Sequence, residues 1–194
     1  MQATLRNRAK KAGAERCIPK QARHNPAMPR ELFRFDSAAK VADWSAIDDA
    51  VMGGVSSSCL RHDPAGHAVF EGTVSLERNG GFASVRSRPM DLGAPGASVY
   101  LLEVRGDGKR YKLDVRLDDA FDGVTYQAAF EAPVGAWTHV RLPLSAFRPT
   151  FRGRTVPDAP PLDPALVRHI GLVIADRQAG PFALAVRSIG AGRE

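Results

Sequence analysis

The chain has 194 residues and a formal charge of +6, which fits one ordinary domain with a sizeable core rather than two. The charge is lopsided: residues 1–30 hold eight basic residues (Arg6, Arg8, Lys10, Lys11, Arg16, Lys20, Arg23, Arg30) against Glu15 alone, a net of +7, so the remainder carries −1. A near-neutral folded part excludes nucleic acid or an anionic membrane as the main ligand, because counterion release needs a dense basic face on the folded surface.

Residues 1–30 read as a disordered basic tail or as a mis-assigned start, with translation beginning at Met28. Cys17-Ile18 is the longest strongly apolar run there, too short for a secretory signal. Arg-rich, acid-poor composition suits a mitochondrial transit peptide, but the segment has no Ser, and Pro19, Pro26 and Pro29 break a helix. Residues 31–194 are expected to form a single domain. Cys17 and Cys59 make no disulfide framework, which points to a reducing compartment, and no run is apolar enough for membrane insertion.

From Leu32 onward the period-two pattern of half-buried strands dominates. Asp36-Ser37 can cap a short helical turn through Val41. Strands follow at 67–76, 82–88, 98–105, 111–118, 123–131, 136–142, 168–175 and 181–189, rich in Val, Phe, Tyr, Trp and Leu. In 111–118 the odd-numbered residues are expected to face a core and the even-numbered ones water. Asn79-Gly80-Gly81, Gly106-Asp107-Gly108, Asp122-Gly123 and Pro133-Val134-Gly135 supply the reversals. Between Phe147 and Val167 the alternation lapses into a long Pro-rich loop, with a second short turn started by Asp163-Pro164.

Many short strands without helical crossovers predict an all-β antiparallel sandwich or barrel. Trp44, Phe70, Phe82, Tyr111, Phe130, Trp137, Phe147 and Phe182 are the candidates for its core.

Chemistry-bearing motifs are sparse. The five histidines lack zinc-site spacing, so neither metal nor cofactor is expected. Ser56 to Ser58 have no nucleophile elbow around them, and Gly106 to Arg110 lack the spacing of a phosphate cradle; Asp107 there reads as a turn residue. The chain is therefore not expected to be an enzyme. Met52-Gly53-Gly54 and Asn79-Gly80-Gly81 allow close backbone approach, to a ligand or to a neighbouring strand, and the strand is favoured.

The segment Trp44-Ser45-Ala46-Ile47-Asp48-Asp49-Ala50-Val51-Met52-Gly53-Gly54-Val55-Ser56 resembles the opening signature of the complex I intermediate-associated protein 30 family. In the same order follow Phe70 to Ser75, Asn79 to Arg86, Gly106 to Tyr111, Tyr126 to Phe130, Trp137 with Leu142-Pro143, Phe151 to Arg154, Ile170-Gly171 with Asp176, and Gly180 to Leu184. The resemblance implies a jelly-roll β-sandwich similar to galactose-binding and carbohydrate-binding modules. It also implies a non-catalytic assembly factor or chaperone, whose partner is a protein client such as a subunit or intermediate of respiratory complex I, NADH:ubiquinone oxidoreductase. A carbohydrate-binding module is the alternative. The bias of 21 Arg over 6 Lys fits a GC-rich bacterial genome, so a bacterial cytoplasmic location is expected over a mitochondrial one.

Polar residues inside these motifs that turn geometry does not require are the candidate binding residues: Asp49, Arg86, Tyr126, Gln127, Arg152, Arg154 and Asp176. Arg86, Tyr126 and Gln127 are expected to share one exposed face that stacks on and hydrogen-bonds a sugar or peptide. The alternative is internal pairing, with Arg86 or Arg152 neutralising Asp49 or Asp176 and locking the long loop to the sheet.

Overall fold

The computed structural model describes residues 28–120 and 122–193. In chain order the strands are β1 (Arg30–Arg34), β2 (Trp44–Ala46), β3 (Ser57–Asp63), β4 (His67–Val74), β5 (Ala83–Ser87), β6 (Val99–Arg105) and β7 (Arg110–Arg116). They continue with β8 (Thr125–Glu131), β9 (Thr138–Pro143), β10 (Arg148–Phe151), β11 (Arg154–Thr155), β12 (His169–Ile174) and β13 (Gly180–Gly192). Among the described residues helix is limited to short 3-10 turns, one of them Pro164–Leu166, where Asp163 accepts from the Ala165 amide at 2.9 Å.

The fold is a jelly-roll β-sandwich of two antiparallel sheets. A six-stranded sheet runs β3-β4-β13-β6-β9, with β1 lying beside β13 past the end of β4; a seven-stranded sheet runs β11-β10-β8-β7-β12-β5-β2. Every ladder is antiparallel; β3–β4, β7–β8 and β10–β11 are hairpins, and the other ladders join strands that are not consecutive in the chain.

Alternation decides what lies between the sheets. β6 turns Tyr100, Leu102 and Val104 inward, and β7 turns Tyr111, Leu113 and Val115 to meet them, all buried. Phe70, Tyr111 and Phe182 interlock edge to face, with Phe70 and Phe182 centroids 4.9 Å apart. Each such ring contributes about 2 kcal/mol by leaving water.

Six of the eight expected core aromatics are buried: Trp44, Phe70, Tyr111, Phe130, Phe147 and Phe182. Phe82 and Trp137 are corrections, both only half-buried. Phe82 precedes β5 in a turn, and Trp137 precedes β9 and lies over the outside of the six-stranded sheet, so neither is bound by the inward parity of a strand.

Strands β1, β2, β3, β10 and β11 were not expected. β2 and β11 are too short to show a period, and β3 reads Ser-Ser-Cys-Leu-Arg-His-Asp with few apolar residues. The expected loop from Phe147 to Val167 contains the β10–β11 hairpin, which extends the seven-stranded sheet through Arg148↔Gln127 pairing. Its two-residue turn puts Arg152 and Gly153 at φ 48° and 75°, the left-handed region that tight hairpins demand.

In β7 the even-numbered Asp114 and Arg116 are buried, contrary to the expectation that they face water. They do lie on the outer face, but neighbouring side chains cover them there. The expectations for residues 1–27, including Cys17, lie outside the described residues.

Candidate functional site

The signature segment forms the link from β2 to β3, including a 3-10 turn, Asp49–Met52. Asp49, only 1% exposed, accepts from the Ser56 amide at 2.9 Å, the Ser56 hydroxyl at 2.5 Å, the Gly81 amide at 2.8 Å and the Phe82 amide at 3.4 Å. Burial pushes its carboxyl up, but the donors from Ser56, Gly81 and Phe82 outweigh it and hold the group below its ordinary value. Asp48 does the same for β3 and β5, accepting from the Ser58 amide and hydroxyl at 2.9 and 2.6 Å and from the Ser84 amide at 3.0 Å.

Two glycines make room for this carboxylate. A Cβ on Gly54 would stand 2.3 Å from Asp49 Oδ1, and one on Gly80 would stand 2.6 Å from Asp49 Oδ2. The two Gly-Gly motifs thus approach the protein's own Asp49. Asp49 is a brace, and the loop it braces presents Val51, Met52 and Val55 to solvent at 62%, 60% and 43% exposure. These apolar tips were missed in the sequence, where the segment drew attention for its carboxylates and glycines.

The outer face of the seven-stranded sheet gathers several other candidates. Ser45, Arg86, Gly171, Asp114, Gln127 and Arg148 stand directly opposite one another across five ladders, so their side chains share one face. Asp114 accepts from Gln127 Nε2 at 2.9 Å and Thr125 Oγ1 at 2.5 Å. Burial lowers the Arg86 guanidinium from its ordinary value, and the Asp114 carboxylate acts against that shift. At the rims Arg152 pairs with Asp122 at 2.5 Å and Lys112 with Asp176 at 2.8 Å; Arg154 is exposed on β11.

Tyr126 is the correction here. It faces the core, 4% exposed, and its hydroxyl donates to the Pro160 carbonyl at 2.8 Å, pinning the Pro-rich loop to β8. Arg86 and Gln127 do share a face, but without Tyr126 that face has lost the ring expected to stack on a ligand. The internal partners also differ from those expected: Asp49 binds amides and a hydroxyl, and Asp176 pairs with Lys112.

The outer face of the six-stranded sheet carries an aromatic group that the sequence placed in the core. Trp137 has the guanidinium carbon of Arg187 4.0 Å and that of Arg105 5.0 Å from its ring centroid, and meets His67 edge-on at 5.2 Å. His67, buried beneath it, is held below its ordinary value by that burial.

The family 11 carbohydrate-binding module of a cellulosomal cellulase from Clostridium thermocellum superposes with a TM-score of 0.64 at 15% identity, covering 86% of this chain and 96% of that one. At that identity the likeness shows a β-sandwich fold and nothing about ligands.

The family model for complex I intermediate-associated protein 30 matches residues 33–186, and the chain belongs to that family. Its relatives include the probable complex I intermediate-associated protein 30, mitochondrial, of Caenorhabditis elegans, 30% identical over 189 residues, with 87% of this chain and 55% of that protein covered. The Neurospora crassa protein of the corresponding name is 26% identical over 201 residues, with 83% and 72% covered. The chain spans about half the length of the nematode relative. The expected bacterial cytoplasmic location is overturned, since these relatives are named as mitochondrial proteins. An excess of Arg over Lys reflects base composition and carries no address.

Proposed function

We propose that the chain is a non-catalytic assembly factor that holds a protein client, a subunit or intermediate of a respiratory complex, through the signature loop. The observation that carries this reading is the loop's construction: four hydrogen bonds to a buried Asp49 fix a turn whose tips, Val51, Met52 and Val55, are apolar and exposed. A braced turn loses little conformational entropy on binding, so its apolar tips contribute most of their transfer free energy to the contact. Family membership supplies the class of client, because the relatives are named for association with complex I intermediates.

The carbohydrate-binding alternative drew on Tyr126 as a stacking ring, and Tyr126 is buried. The protein-binding reading is therefore preferred.

Affinity purification from the native host with mass spectrometry tests it, comparing the wild-type chain with Met52→Glu. Respiratory-complex subunits are expected with the wild type and depleted about tenfold or more with the variant, since a charge at an apolar contact costs upward of 1.4 kcal/mol. A wild-type chain that returns no such subunit, or a variant that returns them undiminished, contradicts the proposal.

A further inference from the structure

The outer face of the six-stranded sheet presents four guanidiniums, Arg30, Arg105, Arg141 and Arg187, with a half-buried indole and an apolar groove within one strip. Outward residues alternate along its strands: Leu101, Glu103 and Arg105 on β6, His139 and Arg141 on β9, and Ser188 and Gly190 on β13. Small residues on β13 leave a groove of about 370 Å³ between Pro29, Arg30 and Glu31 on one side and His139, Val140 and Arg141 on the other. Trp137 continues the strip beyond His139, under Arg105 and Arg187.

The charges on this strip do not cancel. Its two carboxylates are already engaged: Glu103 with Arg187 at 2.8 Å and Glu31 with Arg34 at 2.6 Å. Among the described residues Arg105 and Arg141 have no carboxylate partner, and Arg30 donates only to the Asp91 carbonyl, at 3.3 Å. Elsewhere on the described surface Arg61 pairs with Glu71, Arg88 with Asp43, Arg152 with Asp122 and Arg168 with Asp119, while Arg78, Arg148, Arg154, Arg177 and Arg193 form no ion pair among the described residues and are spread over turns and edges. What sets this strip apart is that its guanidiniums without a carboxylate partner border an apolar groove and a half-buried indole.

We propose that this strip is a docking surface for an acidic, extended segment of a protein client, with apolar side chains over the groove and Trp137 and carboxylates on Arg30, Arg105 and Arg141. The proposal rests on the client-binding reading above and assigns the client a chemistry and a second point of attachment. Guanidiniums flanking an indole are held flat and partly desolvated, which strengthens a bidentate bond to carboxylate. The chain's own N-terminal residues join the fold at this groove, but residues 1–27 carry seven basic residues against Glu15, so like charge disfavours them as occupant. A nucleic acid backbone fits less well, because Glu31 and Glu103 line the groove and its floor is apolar.

The test is a titration of the isotopically labelled full chain, followed by amide and indole resonances, with a ten-residue peptide alternating Glu and Val. Its Lys-for-Glu counterpart and a single-stranded deoxynucleotide decamer serve as controls. Expected are shifts at the Trp137 indole and at residues 101–105 and 138–143 with the Glu peptide alone. Arg105→Glu with Arg141→Glu should weaken binding about tenfold or more, while Arg152→Glu with Arg154→Glu, on the opposite sheet, leaves it within about twofold. Arg141 is exposed, so Arg141→Glu alone serves if the double variant perturbs folding.

Shifts confined to residues 1–27, equal shifts from the deoxynucleotide, or equal losses from the two double variants would overturn the proposal. If Arg105→Glu with Arg141→Glu still captures respiratory subunits undiminished, this docking surface falls and the client reading stands. If the wild type captures none, the client reading falls with it.

Discussion

Asp49 accepts from three amides and a hydroxyl, and Asp49→Ala leaves those donors buried without an acceptor. The expected cost is about 3 kcal/mol, read as a lower urea midpoint at unchanged slope. Gly54→Ala is expected to cost about 2 kcal/mol for a different reason, since its Cβ overlaps the Asp49 carboxylate. The hydrogen bonds also fix the sign of a pH effect. Asp49 titrates below its ordinary 3.8 in the folded state, so its contribution is fully present above that value and lost as pH falls through the lower folded one. Asp49→Asn should flatten the acid limb of stability against pH, measured by urea unfolding between about pH 5 and pH 2. An unchanged limb would show that other carboxylates govern it.

Within single elements, strand parity carried more information than side-chain chemistry. Tyr126, Ala128 and Phe130 alternate on one side of β8, and all are buried; Phe130 was expected in the core, so its parity already assigned Tyr126 there. Tyr126→Phe is accordingly expected to cost about 1 kcal/mol, the bond to the Pro160 carbonyl, and to leave client capture unchanged. A large loss of capture would restore Tyr126 as a binding residue.

Parity also placed Asp114 and Arg116 on the outer face but could not show them buried, because cross-strand partners and the turn beyond β7 cover them. Asp114→Ala removes the acceptor of Thr125 and Gln127 and the carboxylate facing Arg86. The expected loss is about 3 kcal/mol in chemical denaturation. The short β2 and β11 were illegible for a simpler reason: two or three residues do not make a period.

At the scale of the whole molecule, alternation predicted two packed antiparallel layers, and six of eight aromatic core residues followed from it. The recognisable fragments turn out to build the scaffold more than they decorate it. Asp49, Gly54 and Gly80 come together from two loops, while Asp107 ties the Lys109 amide, the Tyr111 hydroxyl and the Ala183 amide across the molecule. What the sequence could not show was which residues remain on the surface once that scaffold closes. Val51, Met52 and Val55 stand in a segment notable in sequence for its carboxylates and glycines, and Trp137 was expected in the core; only the path of the chain leaves the three tips exposed and the indole half-buried.

The client contact proposed for this chain is the braced signature loop. Amide hydrogen exchange of the chain alone and in its purified client complex tests this most directly. Added protection at residues 50–56 in the complex is the predicted result. Protection that grows elsewhere while residues 50–56 exchange as in the free chain would contradict it.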